Sequence, residues 1–228
     1  MKEIHVIRTG FLSVNTLIVP CGSKKCFVVD PAACKMSGDE NKIVSYLKEK
    51  KLDCVAIILT HSHFDHITGI LQIKNAFPKA KIAIHTNEFA EMQNLPGPMN
   101  QSVLRMFGMT DIFETLSNQP IAEKSLASNC KLSSIFQNES QENEELLAEL
   151  DKWIVIHTPG HTPGSICLYN GQEKILISGD TLFDGGYGRT DMMGGNEAEL
   201  VKSLNFLQEN IPQGTLVYPG HDNFAFSL

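Results

Sequence analysis

The sequence predicts an α/β fold, a sandwich of strand clusters with helices on the outside, and three patterns carry that expectation. Residues 54–60 (CVAIILT) form a nearly all-apolar run, the mark of a strand buried on both faces. Residues 153–158, 165–169 and 174–178 are β-rich runs at short intervals. Helical periodicity appears between and after such runs, at 39–51, about 67–77 and 196–210.

Element by element, His5 falls in a first strand, at its surface or edge. The apolar stretch 11–19 is interrupted by Ser13 and Asn15, and Glu3 spoils its basic flank, so it reads as strand and not as a signal peptide. Strands 14–19 and 26–30 pair across the turn-rich Pro20-Cys21-Gly22-Ser23. Ile43, Val44 and Leu47 give helix 39–51 one apolar face, and Pro78 closes helix 67–77 before strand 81–85. In the last helix Asn196 can cap, with Glu199 three residues on and Leu200, Leu204 and Leu207 at helical spacing. Pro212 stops it, and 215–218 is a final strand.

Residues 86–152 break this rhythm. They hold Leu95-Pro96-Gly97-Pro98, mixed polar and apolar stretches, and the acidic segment 137–145. Two readings stand: a partly ordered surface insertion, or a cap that shapes a substrate pocket, since long connections in compact domains are usually functional or disordered. The whole chain, 1–228, is expected to form a single domain carrying this insertion or cap at 86–152.

Composition narrows the function classes. A chain of 228 residues can bury roughly 70–75% of its unfolded surface, enough for one large core. Hydrophobic residues at 42% and charged residues at 20% exclude a wholly disordered chain. Nineteen basic against 26 acidic residues give a net charge of −7, which disfavours nucleic acid as a partner. No apolar run approaches the ~20 residues that span a bilayer, so no membrane partner is expected either. Six cysteines without a CxxC pair read as reduced thiols in a cytoplasmic protein.

The histidines say more. Thr60-His61-Ser62-His63-Phe64-Asp65-His66 follows directly on the buried strand. Extended residues at i and i+2 point the same way, so His61 and His63 can reach one cation. Asp65 and His66 fall where the chain turns into a helix and can aim at a second site beside the first. Imidazole nitrogen and carboxylate oxygen suit zinc, iron or manganese. His161, Asp180 and His221 lie in Gly/Pro loops or at strand ends, where a rigid scaffold would present them. His85 and His157 read as structural histidines.

HxHxDH, then TPGHTPGS, SGDTLF and YPGH, in this order, resemble the metallo-β-lactamase fold superfamily from about Val14 to His221, with 86–152 left out. The resemblance implies an αββα sandwich with a binuclear metal site at one edge. It assigns His61, His63 and His161 to one metal, Asp65, His66 and His221 to a second, and Asp180 to a bridge between them. Asp30 would support the site from behind. The implied cofactors are two divalent ions, zinc with iron or manganese as alternatives.

Asp180 stands where some β-lactamases of the family use a cysteine ligand. The run from Gly179-Asp180-Thr181 to Gly188-Arg189-Thr190-Asp191 is similar to glyoxalase II, its short relatives and persulfide dioxygenases. Glyoxalase II resemblance implies hydrolysis of a hydroxyacylglutathione thioester by a metal-bridging hydroxide, with Asp65 and Asp180 as catalytic carboxylates. Arg189 would contact the substrate; the alternative is a surface pair with Asp191. Only seven residues follow His221, so the glutathione-clamping helical domain of full-length glyoxalase II is expected to be missing. Competing readings are a mononuclear iron persulfide dioxygenase using His61, His161 and Asp180, a lactonase, and a scaffold without activity.

Overall fold

The computed structural model describes residues 3–137 and 144–228. Among these, six strands form one mixed sheet in chain order: β1 (His5–Thr9), β2 (Val14–Pro20), β3 (Lys25–Val29), β4 (Asp53–Ile58), β5 (Lys81–His85) and β6 (Lys124–Leu126). The first three pair antiparallel, and β3 to β6 run parallel. A second sheet contains β7 (Trp153–His157), β8 (Ile166–Asn170), β9 (Ile175–Gly179), β12 (Leu216–Pro219) and β13 (Phe226–Ser227), in the order β13-β12-β9-β8-β7. Between β9 and β12 the chain makes a small ribbon, β10 (Leu182–Phe183) with β11 (Gly186–Tyr187).

Period-2 alternation explains the layering. Phe27 and Val29 of β3, and Ala56 and Ile58 of β4, face the second sheet, where they meet Val155, Leu168 and Ile177. Their neighbours Cys26, Val28 and Ile57 face outward, onto Ile43 and Leu47 of α1 (Lys42–Glu49) and Ile70 and Ile73 of α3 (Ile70–Ala76). On the far side Ile156, Cys167, Leu176 and Val217 pack against Leu207 of α7 (Glu197–Asn210). Both faces of each sheet are therefore covered, which is why residues 54–60 carry almost no polar side chain. Each fully buried Val, Leu, Ile or Phe among them contributes about 1.5–3 kcal/mol. The result is an αββα sandwich.

One expected helix is broken, and another starts as its sequence suggests. Helix 67–77 is interrupted: α2 (Phe64–Ile67) ends before Gly69, and α3 begins at Ile70. Gly69 donates its N–H to Pro31 O at 2.8 Å, and a Cβ there would lie 3.0 Å from Ala33 N. Backbone packing, invisible in the periodicity, breaks the helix. Asn196, by contrast, caps α7 as its sequence suggests, accepting from Glu199 N–H at 3.1 Å.

The described part of 86–152 shares the sandwich's core. β6 extends the first sheet, and α4 (Pro98–Met106) and α5 (Ile112–Ser117) bury Val103, Leu104, Ile112 and Leu116 in the outer cluster with α3. Leu132, Ile135 and Phe136, with Leu146 and Leu150 of α6 (Glu144–Leu150), pack into the inter-sheet core. Most of the acidic stretch 137–145, residues 138–143, lies outside the described residues. Among the described residues no helix is long and apolar enough to cross a membrane.

Candidate metal centre

β3, β4, β9 and β12 all deliver a site residue just beyond their C-terminal ends: Asp30, His61 with His63, Asp180 and His221 respectively. β7 is antiparallel to β8, which is antiparallel to β9, so β7 ends at the same edge and its loop carries His161. Ligand placement outside the carboxyl ends of strands is the usual rule for open α/β sheets. Asp65 and His66 sit in the single turn of α2.

These side chains converge as two buried groups. The ligand atoms of His61, His63 and His161 lie within 4.8 Å of one another, as do those of Asp65, His66 and His221. Asp180 lies between them. Its Oδ1 is 3.5 Å from His66 Nε2, and its Oδ2 is 3.7 Å from His161 Nε2 and 3.6 Å from His221 Nε2. Gly220 makes this approach possible, because a Cβ there would stand 2.3 Å from Asp180 Oδ1.

The hydrogen bonds behind the rings fix which nitrogen faces inward. His161 Nδ1 donates to Arg189 O at 2.7 Å and His221 Nδ1 to Leu12 O at 3.2 Å, since a carbonyl oxygen can only accept. His66 Nδ1 donates to Asp30 Oδ2 at 3.0 Å. Thr60 Oγ1 donates to Asp30 Oδ2 at 2.6 Å and so accepts from His61 Nδ1 at 3.0 Å. Four Nε2 lone pairs are thereby aimed at the cluster, the outer-shell arrangement typical of metal-binding histidines. His61 Nε2 and Asp180 Oδ1 are buried without a hydrogen-bond partner, a costly state that a cation relieves. The donor set fits divalent metal ions.

Asp30 could be counted as a ligand with His61 and His66, which its oxygens approach. Its hydrogen bonds exclude that role. Oδ1 accepts from Thr60 N–H at 2.8 Å, and Oδ2 serves Thr60 and His66. Asp30 adopts φ +49, a left-handed conformation that aspartate tolerates better than most residues and that turns its carboxylate beneath the cluster.

Electrostatics match this division. Burial, then neighbouring His66 and His63, hold His61 well below the ordinary histidine range. Burial and the facing His161 push His63 down to about 3. Burial opposes ionisation of Asp180, but His66 outweighs it and keeps the carboxyl well below its usual value. Burial also opposes charge on His66, yet Asp180, Asp65 and Asp30 together raise it well above its ordinary value.

A cavity of about 500 Å³ opens over the cluster, reaching His63, Asp65, His161, Asp180 and His221. Its walls are largely apolar: Leu12, Phe64, Val103, Phe107, Phe183 and Met192 among them. Arg189 lines it too. Its Nε and Nη2 donate to Asp191 at 2.7 Å each, and its guanidinium lies 5.4 Å from the Phe107 ring centre. The half-exposed guanidinium is therefore already paired, while its main-chain oxygen orients His161. Thr60, the relay between His61 and Asp30, and the wall residues Val103 and Phe107 carry no local signal in the sequence; only long-range packing identifies them.

Residues 8–221 match the family model described as "Metallo-beta-lactamase superfamily", and the chain belongs to that superfamily. It is similar to "Probable metallo-hydrolase YqgX" of Bacillus subtilis (strain 168), 32% identical over 86% of this chain and 80% of that protein. It is also similar to "Hydroxyacylglutathione hydrolase GloC" of Haemophilus influenzae, 24% identical over 98% of this chain and 92% of that protein. The crystal structure of BLEG-1 B3 metallo-beta-lactamase superposes with a TM-score of 0.77, at 27% identity, over 99% of this chain and 94% of that one. The protein is thus a metal-dependent enzyme of a hydrolase superfamily.

Proposed function

We propose that the protein hydrolyses a small-molecule thioester of the hydroxyacylglutathione type. The observation that carries this reading is the Asp180 carboxylate set between two buried triads, His61–His63–His161 and Asp65–His66–His221. Likeness to the Haemophilus hydrolase supports the thioester. Two divalent ions held there, zinc with iron or manganese as alternatives, would supply Lewis acidity and an acidified water. The chain's own residues do the rest. Asp65 and Asp180 hold negative charge at the reacting edge, and Asp65 can accept a proton released there. The apolar wall confines the substrate and limits water, and Arg189 offers a cation at the rim. A thiolate leaves readily, so no strong general acid is required. Six free cysteines suit a cytoplasmic setting.

Metal analysis of the purified protein, with three assays in parallel, tests the reading. Two metals per chain and chelator-sensitive hydrolysis of S-lactoylglutathione support it. One iron per chain, with oxygen uptake on glutathione persulfide and no hydrolysis, replaces it with a dioxygenase. Preferential cleavage of a β-lactam replaces it with a lactamase.

A further inference from the structure

We propose that Glu88, assisted by Asn100, is a positioning clamp that sets the geometry of the His61–His63–His161 triad. The inference rests on the metal-centre reading of that triad. Glu88 ends the short 3-10 turn Thr86–Glu88 after β5 and is only 2% exposed. Its carboxylate meets donors from two different ligand loops. Oε2 accepts Ser62 N–H at 2.6 Å, and Ser62 stands between His61 and His63. Oε1 accepts Gly164 N–H at 2.8 Å and the Thr162 hydroxyl, one residue beyond His161. One oxygen thus serves each loop.

Asn100, fully buried in α4, completes the hold. Its Nδ2 donates to Ser62 O at 2.7 Å. The peptide before Ser62 is held through its N–H by Glu88, and the peptide after it through its C=O by Asn100. Rotation of either would re-aim His61 or His63, so these two bonds define the angle between the two imidazoles. The far loop is matched to the same carboxylate: a Cβ on Gly164 would lie 2.9 Å from Glu88 Cγ. Thr162 Oγ1 is also within 2.7 Å of Ser165 Oγ, whose oxygen accepts Thr162 N–H at 3.1 Å.

Energetics argue that this is more than a loop fastening. Burying a carboxylate among neutral donors carries a desolvation cost that an apolar side chain of similar volume would avoid. What the carboxylate adds is direction: strong, short hydrogen bonds that fix donors on both sides of one metal group. Partners of this kind typically change metal affinity by 10–100-fold when removed.

The experiment compares wild type, Glu88→Gln, Asn100→Ala and Leu207→Ala, the last removing core packing on the opposite side of the sandwich. Each is loaded with cobalt(II); affinity is measured by chelator competition, geometry by the visible absorption spectrum, and stability by thermal melting. Glutamine keeps the volume but turns an NH₂ group toward one of the three donors. Glu88→Gln is expected to weaken one cobalt equivalent about 10–100-fold and to shift the cobalt spectrum while the fold persists. Asn100→Ala should shift the spectrum in a milder way and carries the test if Glu88→Gln does not fold. Leu207→Ala should melt earlier with an unaltered spectrum. A wild-type spectrum and affinity in both clamp variants overturns the proposal, as does a Leu207→Ala protein that reproduces their changes. Wild-type protein that binds no cobalt overturns the metal-centre reading itself and the clamp with it.

Discussion

Residues 61–66 and residues 86–152 serve the same centre by opposite means. The first stretch places four candidate ligands in six positions, at the end of a strand buried on both faces. The second places none of the seven, yet supplies a sheet strand, the cavity wall at Val103 and Phe107, and the two side chains that grip Ser62. Ligand loops carry the chemistry and the longer segment carries its aim. Donor atoms can be exchanged only with loss of the centre, whereas aim is a matter of degrees and of graded effects.

That contrast predicts where the largest damage falls. Asp180→Ala removes the carboxylate that lies between the two triads, and its loss should lower hydrolysis by about 10³-fold or more, on the scale of deleting a principal electrostatic group. The backbone there is held by Gly220 N–H to Gly179 O at 2.8 Å, so circular dichroism should stay native. Near-normal turnover by folded Asp180→Ala protein would remove the ligand loops from their leading place in the comparison. Gly220→Ala tests the same point without touching a donor. Its methyl would stand 2.3 Å from Asp180 Oδ1 and 2.8 Å from His66 Cε1, so metal affinity should fall about 10–100-fold. Unchanged metal content would mean that Asp180 has more freedom than its packing indicates.

The same contrast explains what was legible in the sequence. Double-sided burial made 54–60 readable as a central strand, and a short motif with a fixed period placed His61 and His63 on one side of it. Asn196 announced the start of α7 because a cap is a local interaction. The break at Gly69, the strand β6 and the roles of Thr60, Glu88 and Asn100 depend on partners tens of residues away. Glutamate at 88 looks like any polar residue after a strand until Ser62 and Thr162 are placed around it. Chemistry is encoded locally and its support is encoded through the fold.

Support also reaches the ligand loop through His85 at the end of β5, which stacks on His157 with ring centres 4.1 Å apart. His157 Nε2 in turn donates to Pro163 O at 2.9 Å, in the loop that carries His161. Burial, and then the neighbouring His157, push His85 down to about 4. An unfolded histidine titrates near 6.5, so between pH 6.5 and 4 the unfolded chain takes up a proton that the folded chain refuses. Stability from this group is complete above pH 6.5 and is lost as pH falls through that window. Allowing for solvent screening, the loss is about 2 kcal/mol. Denaturant titrations of wild type and His85→Gln at pH 7 and pH 4.5 should show a smaller pH-dependent loss in the variant. Equal losses would assign the acid sensitivity to other groups.

The smallest effect is expected at Arg189, where one residue contains both kinds of contribution. Its main-chain oxygen aims His161, and substitution leaves that bond in place; its side chain is half exposed and already paired with Asp191. Exposed pairs of this kind contribute little to stability. Arg189→Ala should therefore keep wild-type metal content and melting temperature. If the guanidinium leaves Asp191 to meet a carboxylate of the substrate, KM for S-lactoylglutathione should rise about threefold to tenfold, the net range of one ordinary hydrogen bond. An uncharged thioester of the same acyl group should then be hydrolysed as well by variant as by wild type. Equal KM values for both substrates would confine Arg189 to aiming His161, and selectivity would fall to the apolar wall around Phe107.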